Sequence, residues 1–262
     1  MIDMCGYPNI SSVERQQQIL EHVARQGRMS VIAVCKQFGV SEATARRDLE
    51  ALTGQGKVQR VHGGAIMLHQ APPEVPVLQR SQEQADEKRL IGLTAAKLVK
   101  EGETIFLGSG TTVLEVARNL NHIPGLTVIT NSLPVINLLA DKPDLTLISL
   151  GGILRPSELS FIGHITEQSL AEVRADKVYI GIRALSLEQG LTNDYLSETM
   201  TDRAILHITR QVIVVADHTK FGRVSTAFVA PLINIHILIT DSQTPLEIIS
   251  ALTEQGIQVI TG

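Results

Sequence analysis

Three prolines fall between residues 68 and 76, and they divide the chain more sharply than any other feature of its sequence. Proline lacks an amide donor and biases the residue before it away from helix, so no regular element is expected to run through this stretch. The chain has 262 residues, more than the ~100–200 of a typical domain. These observations predict two domains, at residues 11–68 and 81–262, with a linker at 69–80.

Short capped helices are predicted before the prolines. Ser11 and Glu14 have the spacing of a capping box, and Ser30 and Ser41 can each cap a further helix. In the third helix, apolar residues recur at positions i, i+4 and i+7 from Ala45, which predicts one buried stripe. The first part of the chain is therefore expected to pack three helices.

A hairpin is predicted after the third helix. Residues 57–61 alternate between polar and apolar, residues 62–64 read His-Gly-Gly, and residues 65–68 can return as a partner strand. Three helices followed by such a hairpin form a winged helix-turn-helix. Modules of this kind place the recognition helix in the major groove of double-stranded DNA.

Charge is distributed unevenly along the chain. The formal net charge is −4, yet residues 10–65 carry eight basic and five acidic side chains, a net +3, and the remainder carries −7. A small basic module on an acidic body is expected when one end of a protein meets nucleic-acid phosphates.

The third helix and the hairpin contain groups that can read DNA. Hydroxyls can bond phosphates or base edges, arginine can take guanine or phosphate through two N–H groups, and glycines allow close backbone approach. The candidate DNA-binding residues are Ser41, Thr44, Arg46, Arg47, Arg60, His62, Gly63 and Gly64. The alternative is that Arg46, Arg47 and Asp48 form ordinary solvated pairs on a helix face.

Helices and strands alternate after the prolines. The predicted strands are continuous apolar runs such as residues 212–215, Val-Ile-Val-Val. Runs of this kind suit a mostly parallel sheet that is buried on both faces. The fold class predicted for the whole chain is therefore α/β, with an N-terminal winged helix-turn-helix joined to a larger α/β domain.

A glycine-rich turn connects one predicted strand to the next helix. Residues 107–112 read Leu-Gly-Ser-Gly-Thr-Thr, so backbone amides, hydroxyls and a helix N-terminus can all face an anion. No Gly-Lys-Ser/Thr follows, so a nucleotide-binding loop is excluded. A purely structural turn is the alternative.

Further polar groups stand at predicted strand ends, where open α/β sheets bind their ligands. They are Asn131 with Ser132, Gly152 with Arg155, and Asp217 with Lys220. Arg155 and Lys220 can neutralise a phosphate, while Asn131 and Asp217 can bond sugar hydroxyls. Each group also has a structural explanation, as a helix cap, a turn or a surface pair.

The segment Val40–Leu49 reads VSEATARRDL and Arg60–Ala65 reads RVHGGA, and together they resemble the DeoR family of bacterial transcription regulators. Glu14-Arg15 and Ile19-Leu20 fit the same pattern. The segments after the prolines resemble the C-terminal effector domain of that family. The resemblance implies a fold related to ribose-5-phosphate isomerase and the coenzyme A transferases, and a phosphorylated sugar or similar metabolite as the sensed ligand.

Carried over by position, the resemblance implies ligand roles for eight residues. They are Ser109, Gly110, Thr111, Thr112, Asn131, Gly152, Arg155 and Lys220, and Asp217 is added as a candidate from its position beside Lys220. Three positions depart from the family pattern. Gly108 stands where many members have Asp, and Met200 and Asp202 stand where an acid and a lysine are usual.

The function expected from this resemblance is repression of a carbohydrate-metabolism operon, relieved by a phosphorylated sugar or related metabolite. Binding to two half-sites of operator DNA calls for a homo-oligomer, a dimer or a tetramer. One alternative is a sugar-phosphate isomerase with an appended DNA module, for which Asp217, Glu198 and Asp194 are candidate bases. Another is a transcriptional activator, which the sequence does not distinguish from a repressor.

The remaining composition sets limits on other functions. Cys5 and Cys35 are the only cysteines, which indicates neither a disulfide framework nor a zinc site. No metal and no cofactor is expected. Neither a signal peptide nor an apolar run of the ~20 residues that span a bilayer is found, so a cytoplasmic protein without membrane contact is expected.

Overall fold

A computed structural model describes residues 10–61, 63–71, 75–120 and 123–262. Within these ranges a small helical module with a three-stranded sheet precedes a larger domain that is built on a parallel sheet. The predicted α/β fold class, with an N-terminal winged helix-turn-helix, is confirmed.

The N-terminal module begins with α1 (Ser12–Gln26), β1 (Arg28–Ser30), α2 (Val31–Phe38), α3 (Glu42–Gly54), β2 (Val58–Val61) and β3 (Gly64–Met67). Strand β3 lies between β1 and β2 and is antiparallel to both. Ala45, Leu49 and Leu52 are buried in a core shared with α1 and α2, as their spacing predicts. The hairpin β2–β3 is the wing.

Local sequence signals set the limits of these helices. The Ser11 hydroxyl accepts a hydrogen bond from the Glu14 amide at 3.2 Å, and the Glu14 carboxylate accepts one from the Ser11 amide at 3.1 Å. Gly27 ends α1 with φ of 77°, a left-handed conformation that glycine adopts without strain. Ser30 and Ser41 cap α2 and α3. All three caps predicted from the sequence are confirmed.

The rest of the chain contributes β4 (His69–Gln70), α4 (Val77–Arg80), α5 (Ala85–Ala96), β5 (Thr104–Leu107), α6 (Thr111–Arg118), β6 (Leu126–Thr130), α7 (Leu133–Leu139), β7 (Leu145–Ser149), β8 (Ile153–Arg155), β9 (Ser160–Ile162), α8 (His164–Ala171), β10 (Lys177–Ile180), β11 (Ala184–Ser186), β12 (Gly190–Asn193), α9 (Leu196–Leu206), β13 (Val212–Val215), β14 (Arg223–Val224), β15 (Ala227–Ala230), β16 (Ile237–Thr240), α10 (Leu246–Glu254) and β17 (Gln258–Thr261). Two 3₁₀ turns, His218–Lys220 and Leu232–Asn234, flank β14 and β15.

Seven of these strands form one parallel sheet in the order β17-β16-β13-β10-β5-β6-β7. All four residues of β13 are buried. Val212 and Val214 pack into the core on one face, and Ile213 and Val215 pack into the core on the other. A strand that is covered on both faces must be apolar throughout, which explains the continuous run in the sequence.

Several short elements were not predicted. Strands β11, β12 and β15 form an antiparallel sheet, β8 and β9 form a hairpin, and β17 adds an edge to the large sheet. Strands of three or four residues have too few positions to show a periodicity. In the segment predicted as a linker, β4 pairs in parallel with β14.

Candidate DNA-reading surface and effector cleft

The exposed face of α3 carries three of the candidate DNA-binding residues. Arg46 and Arg47 are exposed, and Thr44 is half-buried in the first turn. The Ser41 hydroxyl caps the helix through the Thr44 amide at 3.3 Å and lies 3.0 Å from the Thr44 hydroxyl. Arg46 pairs with Glu42 at 3.3 Å on the helix surface. Such exposed pairs are weak, so Arg46 remains available to a phosphate.

Asp48 is not part of a solvated pair, in contrast to the alternative considered from the sequence. It is 3% exposed and accepts hydrogen bonds from Arg15 Nε at 2.6 Å and Gln16 Nε2 at 3.1 Å. These bonds fix α3 against α1. With the Asp48 side of α3 turned inward, Arg47 on the opposite side faces solvent.

The wing presents its predicted residues in different environments. Gly63 is exposed, with φ of 78°. Gly64 is buried, and a Cβ there would stand 2.5 Å from the Met29 carbonyl oxygen, so β1 requires a glycine at this position. Arg60 is half-buried and donates to the Gly64 carbonyl at 2.8 Å. His62 lies outside the described residues.

Two carboxylates of the larger domain contact the module near the wing. The Arg60 amide donates to Glu188 Oε1 at 2.8 Å, and Arg28 forms an ion pair with Glu247 at the start of α10. Burial raises the pKa of the Glu188 carboxyl, while its hydrogen bond from Arg60 partly opposes the shift. The wing is therefore held by acidic groups of the neighbouring domain.

A cleft of about 650 Å³, including its open mouth, lies beside the carboxyl ends of β5, β10 and β13. The predicted ligand residues Ser109, Gly110, Thr111, Thr112 and Lys220 line it. Topology explains the convergence, because parallel strands bring their carboxyl ends to one edge of a sheet.

One end of this cleft is suited to an anion. Gly110 has φ of 108° and precedes α6, where no side chain caps the first turn. Lys88 and Lys220 line the same cleft. Burial lowers the pKa of both ammonium groups below the ordinary 10.5, and Asp217 opposes the shift. The Lys88 ammonium donates to the backbone carbonyls of Arg80, at 2.8 Å, and Glu83.

The other end of the cleft is acidic. The Asn193 amide nitrogen donates to Glu198 at 3.1 Å and to Asp202 at 2.9 Å. Arg155 forms an ion pair with Glu198, and Ser160 donates to the same carboxylate at 3.2 Å. Burial raises the pKa of both the Glu198 and the Asp202 carboxyls.

An adjoining cavity of about 450 Å³, a volume that includes space open to solvent, lies next to this acidic part of the cleft. It shares Ser109, Asn193 and Asp202 with the cleft and adds Asn131, which is 3% exposed. The Asn131 amide nitrogen donates to the Phe161 carbonyl at 3.0 Å, while its Oδ1 atom has no hydrogen-bond partner among the residues that the structure describes. A buried acceptor thus borders the cavity.

Three predicted ligand residues lie outside both cavities. Gly152 packs against α8, because a Cβ there would stand 2.1 Å from the Thr166 hydroxyl. Arg155 is committed to Glu198. Asp217 is fully buried beside Lys220, at 3.9 Å, and accepts a bond from the Thr219 amide at 3.0 Å. Because Glu198 and Lys220 line the cleft, Arg155 and Asp217 hold supporting positions beside it.

Seven further polar residues line the cleft: Arg80, Lys88, Glu158, Arg183, Asn193, Glu198 and Asp202. Sequence reasoning considered Glu198 only as a candidate base of an isomerase, and it missed Arg80, Lys88, Glu158, Arg183 and Asn193. Asp202 and Met200 were both noted as departures from a family pattern. Their positions in the structure differ: Asp202 borders the cleft, whereas Met200 is 52% exposed on the surface of α9. Lys88 lies inside α5, where no local signal marks it, whereas Arg183 follows the end of β10 by three residues and was overlooked.

The fold and these two sites define a DNA-binding regulator with a separate small-molecule sensor. The sequence model of the DeoR-like helix-turn-helix domain matches residues 15–71, and that of the DeoR C-terminal sensor domain matches residues 83–242. The chain therefore belongs to the DeoR family of transcriptional regulators. The resemblance seen in the sequence is confirmed.

Full-length relatives are named as regulators. The glycerol-3-phosphate regulon repressor of Escherichia coli K12 is 33% identical over 95% of this chain and 99% of its own. The transcriptional repressor AccR of Agrobacterium fabrum is 32% identical over 89% and 91%. The regulator IolR of Bacillus subtilis is 30% identical over 86% and 90%. These relatives support the prediction of a regulator over that of an isomerase.

Solved structures share parts of the fold. Ribose 5-phosphate isomerase A from Methanocaldococcus jannaschii aligns with 53% of this chain and 55% of its own, with a TM-score of 0.40 and 20% identity. The sorbitol operon regulator SorC from Klebsiella pneumoniae aligns with 80% of this chain and 90% of its own, with a TM-score of 0.35 and 13% identity.

Among the residues that the structure describes, no helix has the length and apolar character needed to cross a bilayer.

Proposed function

We propose that the protein represses a carbohydrate-metabolism operon by binding its operator DNA, and that a phosphorylated sugar or related metabolite in the cleft relieves the repression. One observation carries the proposal. The turn at residues 109–112 opens at the start of α6 into the same cleft as Lys88 and Lys220. The glycerol-3-phosphate regulon repressor, a full-length relative, is named for a phosphorylated compound.

A phosphate at this turn satisfies several groups together. The first backbone N–H groups of a helix have no partner within the helix, and its dipole favours negative charge there. The hydroxyls of Ser109, Thr111 and Thr112 add donors, and the two ammonium groups balance the charge. The cost of burying Lys88, which is 4% exposed, is offset when an anion binds.

DNA binding is assigned to α3 and the wing, through Ser41, Thr44, Arg46, Arg47, Arg60, His62, Gly63 and Gly64. A single module reads a short half-site, so a homodimer or homotetramer supplies the affinity needed for an operator. The protein acts in the cytoplasm, where bacterial operator DNA lies.

A short path connects the cleft to the DNA-binding module. Lys220 closes the 3₁₀ turn that leads into β14, and β14 pairs with β4 in the segment between the domains. The Ala71 amide donates to the Val224 carbonyl at 2.9 Å. A shift of Lys220 toward a bound phosphate therefore moves the strand that pairs with β4, inside the proposed linker at 69–80 between domains at 11–68 and 81–262. Ligand and DNA then weaken each other's binding equally, by linkage.

The test uses the full-length chain and a DNA duplex that it selects from a random-sequence pool. Hexose, pentose and triose phosphates are added to a gel-shift assay, and thermal denaturation reports direct binding of each compound. At least one sugar phosphate should release the duplex and raise the melting temperature. Its unphosphorylated parent should do neither.

Two variants assign the effect to the cleft. Lys220→Ala and Lys88→Met should keep duplex affinity and lose most of the response to the sugar phosphate. The surface variant Lys142→Ala is the matched control and should respond normally. If no phosphorylated sugar alters melting or duplex binding, or if the cleft variants respond like the control, the proposal is wrong.

A further inference from the structure

Most of the charged side chains around the cleft form ion pairs, but one cation and one carboxylate do not. Arg80 pairs with Glu158, Arg155 with Glu198, and Arg183 with Asp194 at 2.7 Å. Within the described part of the chain, neither Lys88 nor Asp202 belongs to an ion pair. Lys88 and Asp202 are thus a cation and a carboxylate of the cleft lining that have no ion-pair partner among the described residues.

The carboxylate of Asp202 has few protein donors. Its one hydrogen bond comes from the Asn193 amide, which is shared with Glu198. A buried charge is costly unless a partner of opposite charge meets it. The neighbouring Glu198 carboxylate, which shares the Asn193 donor with Asp202, already forms an ion pair with Arg155 and accepts a hydrogen bond from Ser160. Arg155 favours the charged form of Asp202 without forming an ion pair with it, so a cationic ligand group can supply the close counter-charge that Asp202 lacks.

Asn131 supplies an independent observation at the same place. Its amide nitrogen is fixed as the donor by the bond to the Phe161 carbonyl, which identifies the unpartnered atom as the acceptor Oδ1. Asn131 and Asp202 line the same inner cavity. The Asp202 carboxylate and Asn131 Oδ1 are two hydrogen-bond acceptors, and the first is charged. They bind an ammonium group better than a neutral hydroxyl group, because charge-assisted hydrogen bonds are roughly twice as strong.

We propose that the ligand of this cleft is a phosphorylated amino sugar, whose phosphate lies at residues 109–112 and Lys88 and whose free ammonium group lies between Asp202 and Asn131. The inference rests on the proposed sugar-phosphate sensor and specifies its ligand class. An N-acetylated sugar phosphate has no such charge and leaves Asp202 unmatched.

Isothermal titration of the full-length chain tests this assignment with three probes: glucosamine 6-phosphate, glucose 6-phosphate and N-acetylglucosamine 6-phosphate, together with the corresponding galacto compounds. In at least one series the amino compound should bind about tenfold or more tightly than the other two. Asp202→Asn keeps the acceptor for Asn193 and should remove that preference without loss of folding. Asn131→Leu should reduce it, and the exposed variant Asp141→Asn should leave it unchanged.

The outcomes separate the two proposals. If sugar phosphates bind and respond to Lys220→Ala, but the amino compounds are bound no better than their hydroxyl counterparts, the amino-sugar assignment is overturned and the sensor proposal stands. An amino preference that survives Asp202→Asn also overturns the assignment. Absence of binding by every phosphorylated sugar removes both proposals.

Discussion

The carboxylate of Glu188 accepts a 2.8 Å hydrogen bond from the backbone amide of Arg60, a residue 128 positions earlier in the chain. Arg60 belongs to the wing strand β2, and Glu188 belongs to the turn between β11 and β12 of the sensor domain. The wing residue that is proposed to meet DNA is thus engaged by an acidic group of the domain that is proposed to sense the ligand.

Removal of this contact should strengthen DNA binding. In Glu188→Ala the Arg60 amide loses its charged acceptor, so the wing is freer to adopt a DNA-bound position. A charged hydrogen bond of this kind contributes on the order of 1–2 kcal/mol, so duplex affinity should rise about fivefold or more. Fluorescence anisotropy with the selected duplex measures the change. Glu172→Ala, at an exposed site of the same domain, should have no effect, and an unchanged or weaker affinity for Glu188→Ala would refute the idea of a restraining contact.

Arg47→Ala should weaken duplex binding by roughly tenfold to a hundredfold, since one arginine contact to a base or phosphate is worth ~1–3 kcal/mol. The side chain is exposed, so the melting temperature should not change. Gel-shift titration at constant salt tests this expectation, with Arg25→Ala on the exposed surface of α1 as the control. Equal affinities for the two variants would mean that α3 does not present Arg47 to DNA.

Gly64→Ala should destabilise the N-terminal module more than Gly63→Ala does. At Gly64 a methyl group would lie 2.5 Å from the Met29 carbonyl oxygen, and overpacking of this kind costs about 2 kcal/mol or more. At Gly63 a methyl group meets nothing within 4 Å, and the cost is limited to the left-handed backbone, about 1 kcal/mol. Hydrogen exchange of the β1 and β3 amides measures both variants. Equal protection would show that β1 and β3 are not packed as described.

Ligand affinity should decline as pH rises, and it should do so below the usual titration range of lysine. Burial lowers the pKa of Lys88 and Lys220 from 10.5, and each is needed in its charged form beside a phosphate. Loss of the proton at rising pH therefore weakens phosphate binding, while low pH retains the charge. Titration calorimetry with a sugar phosphate that lacks an amino group, between pH 7 and pH 10, measures the slope.

The conservative variant Lys220→Arg serves as the control for this pH dependence. Arginine stays charged throughout that pH range, so the decline should be smaller and should begin at higher pH. An identical pH profile for the variant and the natural chain would show that Lys220 does not contribute to the dependence.

Features that depend on near neighbours in the chain were predictable from the sequence. Ser11 and Glu14 lie three residues apart and cap α1 as expected, and the stripe that begins at Ala45 packs into the core of the module. The continuous apolar run of β13 predicted burial on both faces. Residues 109–112 stand at a strand end, so their place at the edge of the sheet followed from the order of elements.

The parts of the sites that bring distant segments together were decided by the tertiary structure. Lys88 on α5 and Asp202 on α9 are both internal helix positions with no local mark of function, yet both border the cleft. Conversely, Gly152 was predicted to bind the ligand, but in the structure the absence of a side chain at Gly152 leaves room for the Thr166 hydroxyl.

The sequence alone determined that this chain has a DNA-binding module and a parallel α/β domain with a glycine-rich turn at a strand end, because caps, helical stripes and apolar runs arise from residues a few positions apart. Which side chains face the ligand, and which acidic group holds Arg60, depend on how the crossover helices pack on the sheet. Those contacts form between residues more than 100 positions apart, as between Arg60 and Glu188, and only the folded chain specifies them.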